Sequence, residues 1–217
     1  MKSFVLAFSF LLCSEVFARD VYVLKSSGIC NGCAEAVSKM LFTGGIRSQI
    51  IGPEHLKSTV KSQDLLVLGG GVPEGEGEWT LKQDLMRVGA FRWLKSFISH
   101  GGRYLGICAG AYLTEEWIDK RANERGLNIF PGVIDNYFKT DKAAQYLFIR
   151  LGSSNTTRSV YFQDGPRLTP RSSVAATVFA RFEKDQSPAA LMFNYGQGRV
   201  GLISPHLEAD EDWQNEA

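Results

Sequence analysis

Cys108 lies in the segment Gly106-Ile107-Cys108-Ala109-Gly110, after an apolar run and before residues typical of a helix. The G-x-C-x-G spacing is typical of a nucleophile elbow, a sharp strand-to-helix turn that leaves room only for small neighbours. A helix that begins at such a turn directs free N–H groups at the sulfur, which favours a thiolate and can hold an oxyanion. The pattern predicts acyl-transfer chemistry at Cys108. The alternative is a small buried core residue, a common role of free cysteine.

A cysteine nucleophile needs a base and a group that orients the base. His206 ends an apolar run, and Glu208 follows two residues later, close enough to reach back to the imidazole. The other two histidines have simpler interpretations, because His55 lies in a polar segment and His100 precedes two glycines at a predicted helix end. We therefore predict that Cys108 is the nucleophile, His206 the base and Glu208 the orienting acid.

Cys30 and Cys33 form a C-x-x-C pair between the first predicted strand and its helix. Such a pair is a redox centre in some proteins, and this protein would then exchange disulfides. In an oxidising compartment it is more often a disulfide that holds a loop, which is the interpretation we favour. No second pair of cysteines or histidines is available as metal ligands. The sequence predicts no metal site and no cofactor.

Strands and helices alternate in the first half of the chain, and these elements must position the reactive residues. Continuous apolar runs predict buried strands, and helical spacing predicts the helices between them. The predicted strands are 20–24, 65–71 and 104–108, and the predicted helices are 34–41, 81–102 and 109–122. Four more strands, with no strong helix among them, follow from residue 158 onward. This order predicts an α/β domain whose sheet is covered on both faces, with its site at the carboxyl ends of the strands.

Three segments resemble a known superfamily: "LLVLGGGVP", "YLGICAGAYL" and "GLISPHLE". They are similar to the class I glutamine amidotransferase-like superfamily and, more closely, to the domain at the N-terminus of some biotin–protein ligases. The resemblance covers nearly the whole chain after the first eighteen residues. It implies a flavodoxin-like three-layer sandwich with a mainly parallel central sheet and a Cys-His-Glu triad. It also implies an oxyanion hole made by the backbone N–H groups of Ala109 and of either Gly70 or Gly71.

Position 112 departs from the glutamine-hydrolysing members of that superfamily. They carry glutamine four residues after the nucleophile, where it helps to hold the substrate, and here the residue is Tyr112. They also deliver ammonia to a synthetase, and we expect no synthetase domain in this chain. Gln163 and Asp164 follow a predicted strand and are further candidates for substrate contact; the alternative is an ordinary Asp-Gly-Pro turn.

The resemblance and its departures predict an amidase or hydrolase for a small-molecule or peptide-like amide, such as a γ-glutamyl compound. A catalytically silent module that binds a small ligand in the same cleft is the alternative.

The composition is that of an ordinary globular protein, with 217 residues, 44% hydrophobic, 22% charged and a formal net charge of +1. This balance gives no electrostatic support for nucleic-acid binding. Residues 1–18 have the pattern of a signal peptide, with a short apolar core and small residues at the cleavage site ending in Ala18. We expect a secreted or periplasmic protein, with no membrane contact after cleavage and one domain over residues 19–217. Asn155 is a glycosylation acceptor if the host is eukaryotic.

Overall fold

A computed structural model describes residues 20–71, 77–119, 123–138, 144–152, 156–209 and 213. The predicted signal peptide and Asn155 lie outside these ranges. Within them the helices are α1 Cys33–Thr43, α2 Leu56–Thr59, α3 Gly77–Arg87, α4 Ala90–Ser99 and α5 Ala109–Tyr112, with a short 3-10 helix at Pro53–His55.

The strands of the described residues fall into three sheets. In chain order they are β1 Val21–Leu24, β2 Gln49–Ile51, β3 Leu65–Leu68, β4 Arg103–Ile107, β5 Trp117–Asp119, β6 Glu124–Arg125, β7 Gly132–Asn136, β8 Gln145–Leu151, β9 Thr157–Phe162, β10 Pro166–Pro170, β11 Thr177–Phe182, β12 Pro188–Tyr195 and β13 Gly198–Ile203. Two pairs of strands, β5 with β6 and β7 with β10, are small antiparallel sheets.

The central sheet has the strand order β2-β1-β3-β4-β13-β12-β11-β8-β9. From β2 to β13 neighbouring strands are parallel. From β13 to β9 they are antiparallel. The strands predicted in the second half of the chain therefore extend the parallel sheet, and the α/β class is confirmed. The sheet changes from parallel to antiparallel at β13, the strand that leads to His206.

The parallel half of the sheet is the middle of three layers. On one face Val23, Val67 and Ile107 pack with Val37 of α1. The opposite face belongs to a larger core that includes side chains of α2, α3, α4 and α5. Both faces of β1, β3 and β4 are largely buried, which explains why their sequences are apolar without alternation, whereas the edge strand β2 exposes Gln49 and Ile50. In the antiparallel half one face remains open and carries the exposed aromatic side chains Tyr146, Phe148 and Phe179.

The segment predicted as one helix over 81–102 forms two helices, α3 and α4. Gly89 separates them with a φ of 65°, a left-handed conformation that glycine adopts without strain. Its N–H donates to the carbonyl of Met86 at 2.9 Å and closes the end of α3.

The helix predicted over 109–122 is wrong for residues 113–119, and residues 120–122 lie outside the described ranges. The carbonyls that would continue the helix accept hydrogen bonds from a distant segment instead. Leu127 donates to Leu113 at 2.8 Å and Asn128 donates to Glu115 at 2.8 Å. These contacts turn the chain toward the β5–β6 hairpin, so α5 is a single turn.

Candidate active site

Cys108 lies between β4 and α5 with φ 48° and ψ −106°, a conformation that non-glycine residues seldom adopt. Gly106 and Gly110 make this turn possible. A Cβ atom on Gly106 would lie 2.5 Å from the carbonyl oxygen of Gly110, and one on Gly110 would lie 2.4 Å from that of Leu68. The two glycines of the G-x-C-x-G pattern are therefore required by close backbone contact, as expected for an elbow.

The pairing of β4 with β13 places Cys108 and His206 at the same edge of the sheet. Ile107 lies opposite Ile203 in the parallel register, and the N–H of Cys108 donates to the carbonyl of Ile203 at 3.0 Å. The N–H of His206 donates to the carbonyl of Tyr161 at 3.0 Å. Both side chains follow the carboxyl ends of adjacent strands, where α/β folds hold their ligands.

His206 and Glu208 form a buried pair, with 6% and 4% of their surfaces exposed. Nδ1 of His206 lies 3.0 Å from Oε1 of Glu208. A carboxylate only accepts, so Nδ1 carries a hydrogen and Nε2 faces the site. Burial disfavours the charged imidazole, but negative charge at Cys108 and Glu208, with hydrogen bonds to both, outweighs burial and raises the pKa of His206 well above its ordinary value.

The backbone carbonyl oxygen of Gln163 lies near both members of the Cys108–His206 pair. Its oxygen lies 3.3 Å from Nε2 of His206 and 3.9 Å from Sγ of Cys108. Because a carbonyl oxygen only accepts, Nε2 must carry a hydrogen to bond it. With Nδ1 donating to Glu208, this arrangement holds the imidazole with a proton on each nitrogen, in agreement with its raised pKa.

The glycines after β3 lie against the same pair. A Cβ on Gly70 would lie 2.4 Å from Cε1 of His206, and one on Gly71 would lie 2.8 Å from Cβ of Ala109. The carbonyl of Gly70 accepts from the N–H of Cys30 at 3.2 Å. In a trans peptide the next N–H points the opposite way, so that of Gly71 is directed away from Cys30. Within the described ranges the N–H groups of Gly71 and Ala109 donate to no backbone acceptor.

A match to a known family covers residues 60–217, well over half of the chain, and the family is described as the N-terminal part of biotin–protein ligase. The chain belongs to the biotin–protein ligase N-terminal domain family. Biotin–protein ligase of Schizosaccharomyces pombe is 25% identical over an alignment of 139 residues that covers 54% of this chain and 22% of that protein. The chain thus spans about a fifth of the length of this curated relative.

Solved structures show which fold this biotin–protein ligase N-terminal domain has. A glutamine amidotransferase superposes with a TM-score of 0.64 and 19% identity, over 87% of this chain and 90% of that one. A candidate GMP synthase component from Thermoplasma acidophilum superposes with a TM-score of 0.57 and 15% identity, over 88% and 85% of the two chains. The fold is therefore that of the class I glutamine amidotransferase-like proteins.

In this biotin–protein ligase N-terminal domain, Tyr112 closes one side of the site. Its hydroxyl donates to Oδ1 of Asn136 at 2.8 Å and also lies 3.3 Å from the carbonyl oxygen of Asp164. Burial and the nearby negative charges, including Cys108, raise the pKa of the Tyr112 hydroxyl, so it stays a hydrogen-bond donor. Of the predicted contact residues, Tyr112 and Asp164 thus meet next to Cys108.

Gln163 reaches the site through its backbone and not through its side chain. Its side-chain oxygen accepts from the hydroxyl of Tyr161 at 2.9 Å, while its carbonyl oxygen lies near both Nε2 of His206 and Sγ of Cys108. Asp164 follows with a φ of 50°, a left-handed turn that directs the chain into β10. The segment lies beside Cys108, but the group that makes the contact is a peptide carbonyl, which the sequence did not predict.

Two aromatic residues of this domain pack on the ring of His206 and were not identified from sequence. Tyr161 lies 6.0 Å from it, ring centre to ring centre, and Trp213 lies 5.3 Å away. Both rings limit the access of water to the His206–Glu208 pair. The sequence contained one signal for Trp213, because it lies only five residues after the predicted site residue Glu208.

Glu78 lies close enough to Tyr112 for its charge to raise the pKa of the Tyr112 hydroxyl. The glycines and acids around it predict a solvated loop, with an acidic lid over the cleft as the alternative, and the loop prediction is wrong at Glu78. It lies in the first turn of α3, and burial raises the pKa of its carboxyl group. Glu74 and Glu76 of the same segment lie outside the described residues.

Cys30 and Cys33 are joined by a disulfide, and Cys108 is a free, buried thiol. No cluster of three or more potential metal ligands occurs in the described ranges. Among the same residues no helix has the length and apolarity needed to cross a membrane.

Proposed function

We propose that the protein is a cysteine-dependent hydrolase that cleaves amide bonds in a small-molecule or peptide-like substrate. The position of His206 supports this most directly. Both of its ring nitrogens face acceptors, Glu208 at 3.0 Å and the Gln163 carbonyl at 3.3 Å, and the ring lies beside the sulfur of Cys108. A doubly protonated imidazole beside a cysteine favours the thiolate–imidazolium pair that makes a cysteine nucleophilic at neutral pH.

In the proposed reaction the thiolate of Cys108 attacks the amide carbonyl carbon and forms a C–S bond. The carbonyl electron pair moves to oxygen, and the N–H groups of Gly71 and Ala109 hold that oxyanion. His206 transfers its Nε2 proton to the leaving nitrogen as the C–N bond breaks, and the amine departs. Water then gives a proton to His206 while its oxygen forms a bond to the thioester carbon. The C–S bond breaks, its electron pair returns to Cys108 as the thiolate, and the carboxylic acid leaves.

The surroundings of Tyr112 favour a substrate other than free glutamine. Its hydroxyl is held by Asn136 and the Asp164 backbone, so it forms a fixed polar wall beside the sulfur. This wall replaces the flexible amide that glutamine-hydrolysing relatives are expected to have at the same position. A γ-glutamyl compound or another peptide-like amide fits the proposed chemistry, since only an amide carbonyl is required at Cys108.

The proposal is tested with a panel of amide, ester and γ-glutamyl substrates, assayed with the protein and with Cys108→Ala. At least one amide is expected to be hydrolysed, and its kcat/KM is expected to fall by at least about a thousandfold in the variant, because only background catalysis by the remaining groups persists. If Cys108→Ala leaves hydrolysis of every cleaved substrate unchanged, the nucleophile is wrongly assigned.

A silent ligand-binding module is the second candidate, favoured by how closely the site is covered. Cys108 is only 8% exposed, and the Gln163 carbonyl and the Tyr112 side chain both lie against it. The relative from S. pombe is a biotin–protein ligase, and the part of it that matches this chain is about a fifth of its length. In that protein the matching part is therefore joined to other segments. Under this candidate the same panel gives no turnover with either protein.

We also propose that the protein is exported. The leader pattern in residues 1–18 and the Cys30–Cys33 disulfide, a bond that persists in oxidising compartments, support this. N-terminal sequencing of the protein recovered from the periplasm or medium is expected to begin at Arg19. Recovery only from the cytosol with an intact leader would contradict it.

A further inference from the structure

The Cys30–Cys33 disulfide lies directly behind the glycines that follow β3. The N–H of Cys30 donates to the carbonyl of Gly70 at 3.2 Å, and Ile29 forms an isolated antiparallel bridge with Gly71. A Cβ on Gly69 would lie 4.0 Å from Cβ of Cys33, so the disulfide lies close to Gly69 as well as to Gly70.

The geometry of the disulfide turn is fixed at both ends. Cys33 is the fully buried first residue of α1, and Gly32 before it has a φ of 79°. The N–H of Cys33 donates to the carbonyl of Cys30 at 3.1 Å. With the S–S bond formed, Cys30 is tied to a helix that packs against the sheet, so its N–H holds one direction toward Gly70.

This fixed direction decides the orientation of the Gly70–Gly71 peptide. While the Gly70 carbonyl bonds to Cys30, the N–H of Gly71 points to the opposite side, where Ala109 and His206 lie. Glycine has no side chain that would hold the peptide in this orientation, so backbone contacts must hold it. The N–H of Gly110 donates to the carbonyl of Gly69 at 3.3 Å, one residue earlier, and the hydrogen bond from Cys30 is the one that acts on the Gly70 carbonyl itself.

We propose that the Cys30–Cys33 disulfide sets the oxyanion hole of the site, so that acyl transfer at Cys108 depends on the redox state of this pair. The inference rests on the hydrolase function proposed above. A dithiol reduces the bond: the S–S bond breaks, each sulfur gains an electron and a proton, and the dithiol closes to its own disulfide. The turn at Cys30 is then free to move, and the Gly70–Gly71 peptide loses its fixed orientation.

A role of the disulfide in stability alone agrees less well with the short spacing of Cys30 and Cys33. The bond closes a loop with only two residues between the cysteines, and such short loops restrict the unfolded chain less than long ones do. The contact with Gly70 is local, and the central sheet is held together by its own strand pairings. The main consequence of reduction is therefore expected at the glycine segment.

Two chemical probes of Cys108 separate the oxyanion hole from the nucleophile. Acylation by p-nitrophenyl acetate passes through a tetrahedral oxyanion, whereas alkylation by iodoacetamide displaces iodide at a saturated carbon and forms none. Both rates are measured for the oxidised protein and for the double variant Cys30→Ser/Cys33→Ser, with Cys108 modification quantified by peptide mass spectrometry. Acylation is expected to fall about a hundredfold, as after loss of one oxyanion donor, and alkylation to stay within about twofold.

A matched control removes a different contact between the segment after β1 and α1. Lys25→Ala breaks the ion pair of Lys25 with Glu35 of α1 and leaves Gly70 untouched, so both rates are expected to stay unchanged. If the double variant fails to fold, the wild type reduced with dithiothreitol, then freed of reductant, gives the same comparison. Equal rates before and after loss of the disulfide, or an equal fall of acylation and alkylation, would overturn the proposal.

The experiment also separates this inference from the function on which it rests. If the oxidised wild type is not acylated and is alkylated as slowly as an unpaired thiol, the hydrolase proposal fails together with this one. If acylation and alkylation of the wild type are both fast, but the ratio of the two rates does not change when the disulfide is lost, the hydrolase proposal stands and this inference alone is wrong.

Discussion

Replacing His206 with alanine is expected to lower the rate of Cys108 alkylation by iodoacetamide at pH 6.5 by about a hundredfold. In the wild type the raised pKa of His206 keeps the imidazolium through neutral pH, and it is lost only as pH rises through that pKa. The alkylation rate should therefore depend much less steeply on pH in the wild type than in the variant. Without the imidazole the rate should rise about tenfold per pH unit toward the ordinary thiol pKa near 8.5.

The other histidines supply the controls for this experiment. His100 lies at the end of α4, where its Nδ1 is 2.8 Å from the carbonyl oxygen of Ser96, and His55 is exposed beside Glu54. Replacing either with alanine should leave the pH profile unchanged. A flat profile in His206→Ala, or a tenfold slope already present in the wild type, would contradict the ion pair and favour the silent module.

Gly70→Ala is expected to lower acylation of Cys108 by p-nitrophenyl acetate by about a hundredfold or more while the protein still folds. The new Cβ would lie 2.4 Å from Cε1 and 2.9 Å from Nδ1 of His206, so the ring must move away from the sulfur. Displacement of a catalytic group by about an ångström costs rates of this order. The obstructing atoms belong to the His206 ring and not to the backbone, so the strain falls on the ring and its bond to Glu208, and the strand pairings are left intact.

Gly69→Ala is the matched control, one residue earlier in the same segment. Its Cβ would meet Val37 at 3.5 Å and Ile29 at 3.9 Å, which are ordinary contact distances. Acylation and thermal stability should both stay near the wild-type values. A loss of activity in Gly69→Ala equal to that in Gly70→Ala would show that the segment is sensitive to any side chain and not to contact with His206.

The sequence predicts the elements that local patterns determine. Unbroken apolar runs identify β1, β3 and β4, and the small residues around Cys108 identify the turn, because strain and close contact permit nothing larger there. The two-residue spacing of His206 and Glu208 likewise follows from what one short turn can bring together.

The features that the sequence does not predict depend on contacts between residues that are far apart in the chain. The helix after Cys108 ends early because residues 127–129 use its carbonyls, and no property of residues 113–115 indicates this. The carbonyl of Gln163 contacts the site through the direction of a peptide bond, which side-chain chemistry does not specify. Trp213 reaches His206 only because β13 returns the chain to the centre of the sheet.

The pairing of β4 with β13 has a consequence for folding kinetics. These strands are far apart in sequence, so their parallel pairing closes a long loop and raises the contact order of the fold. During synthesis Cys108 leaves the ribosome well before β13, His206 and Glu208. Until the last strand inserts between β4 and β12, the cysteine has no imidazole beside it and the nascent chain carries an ordinary thiol.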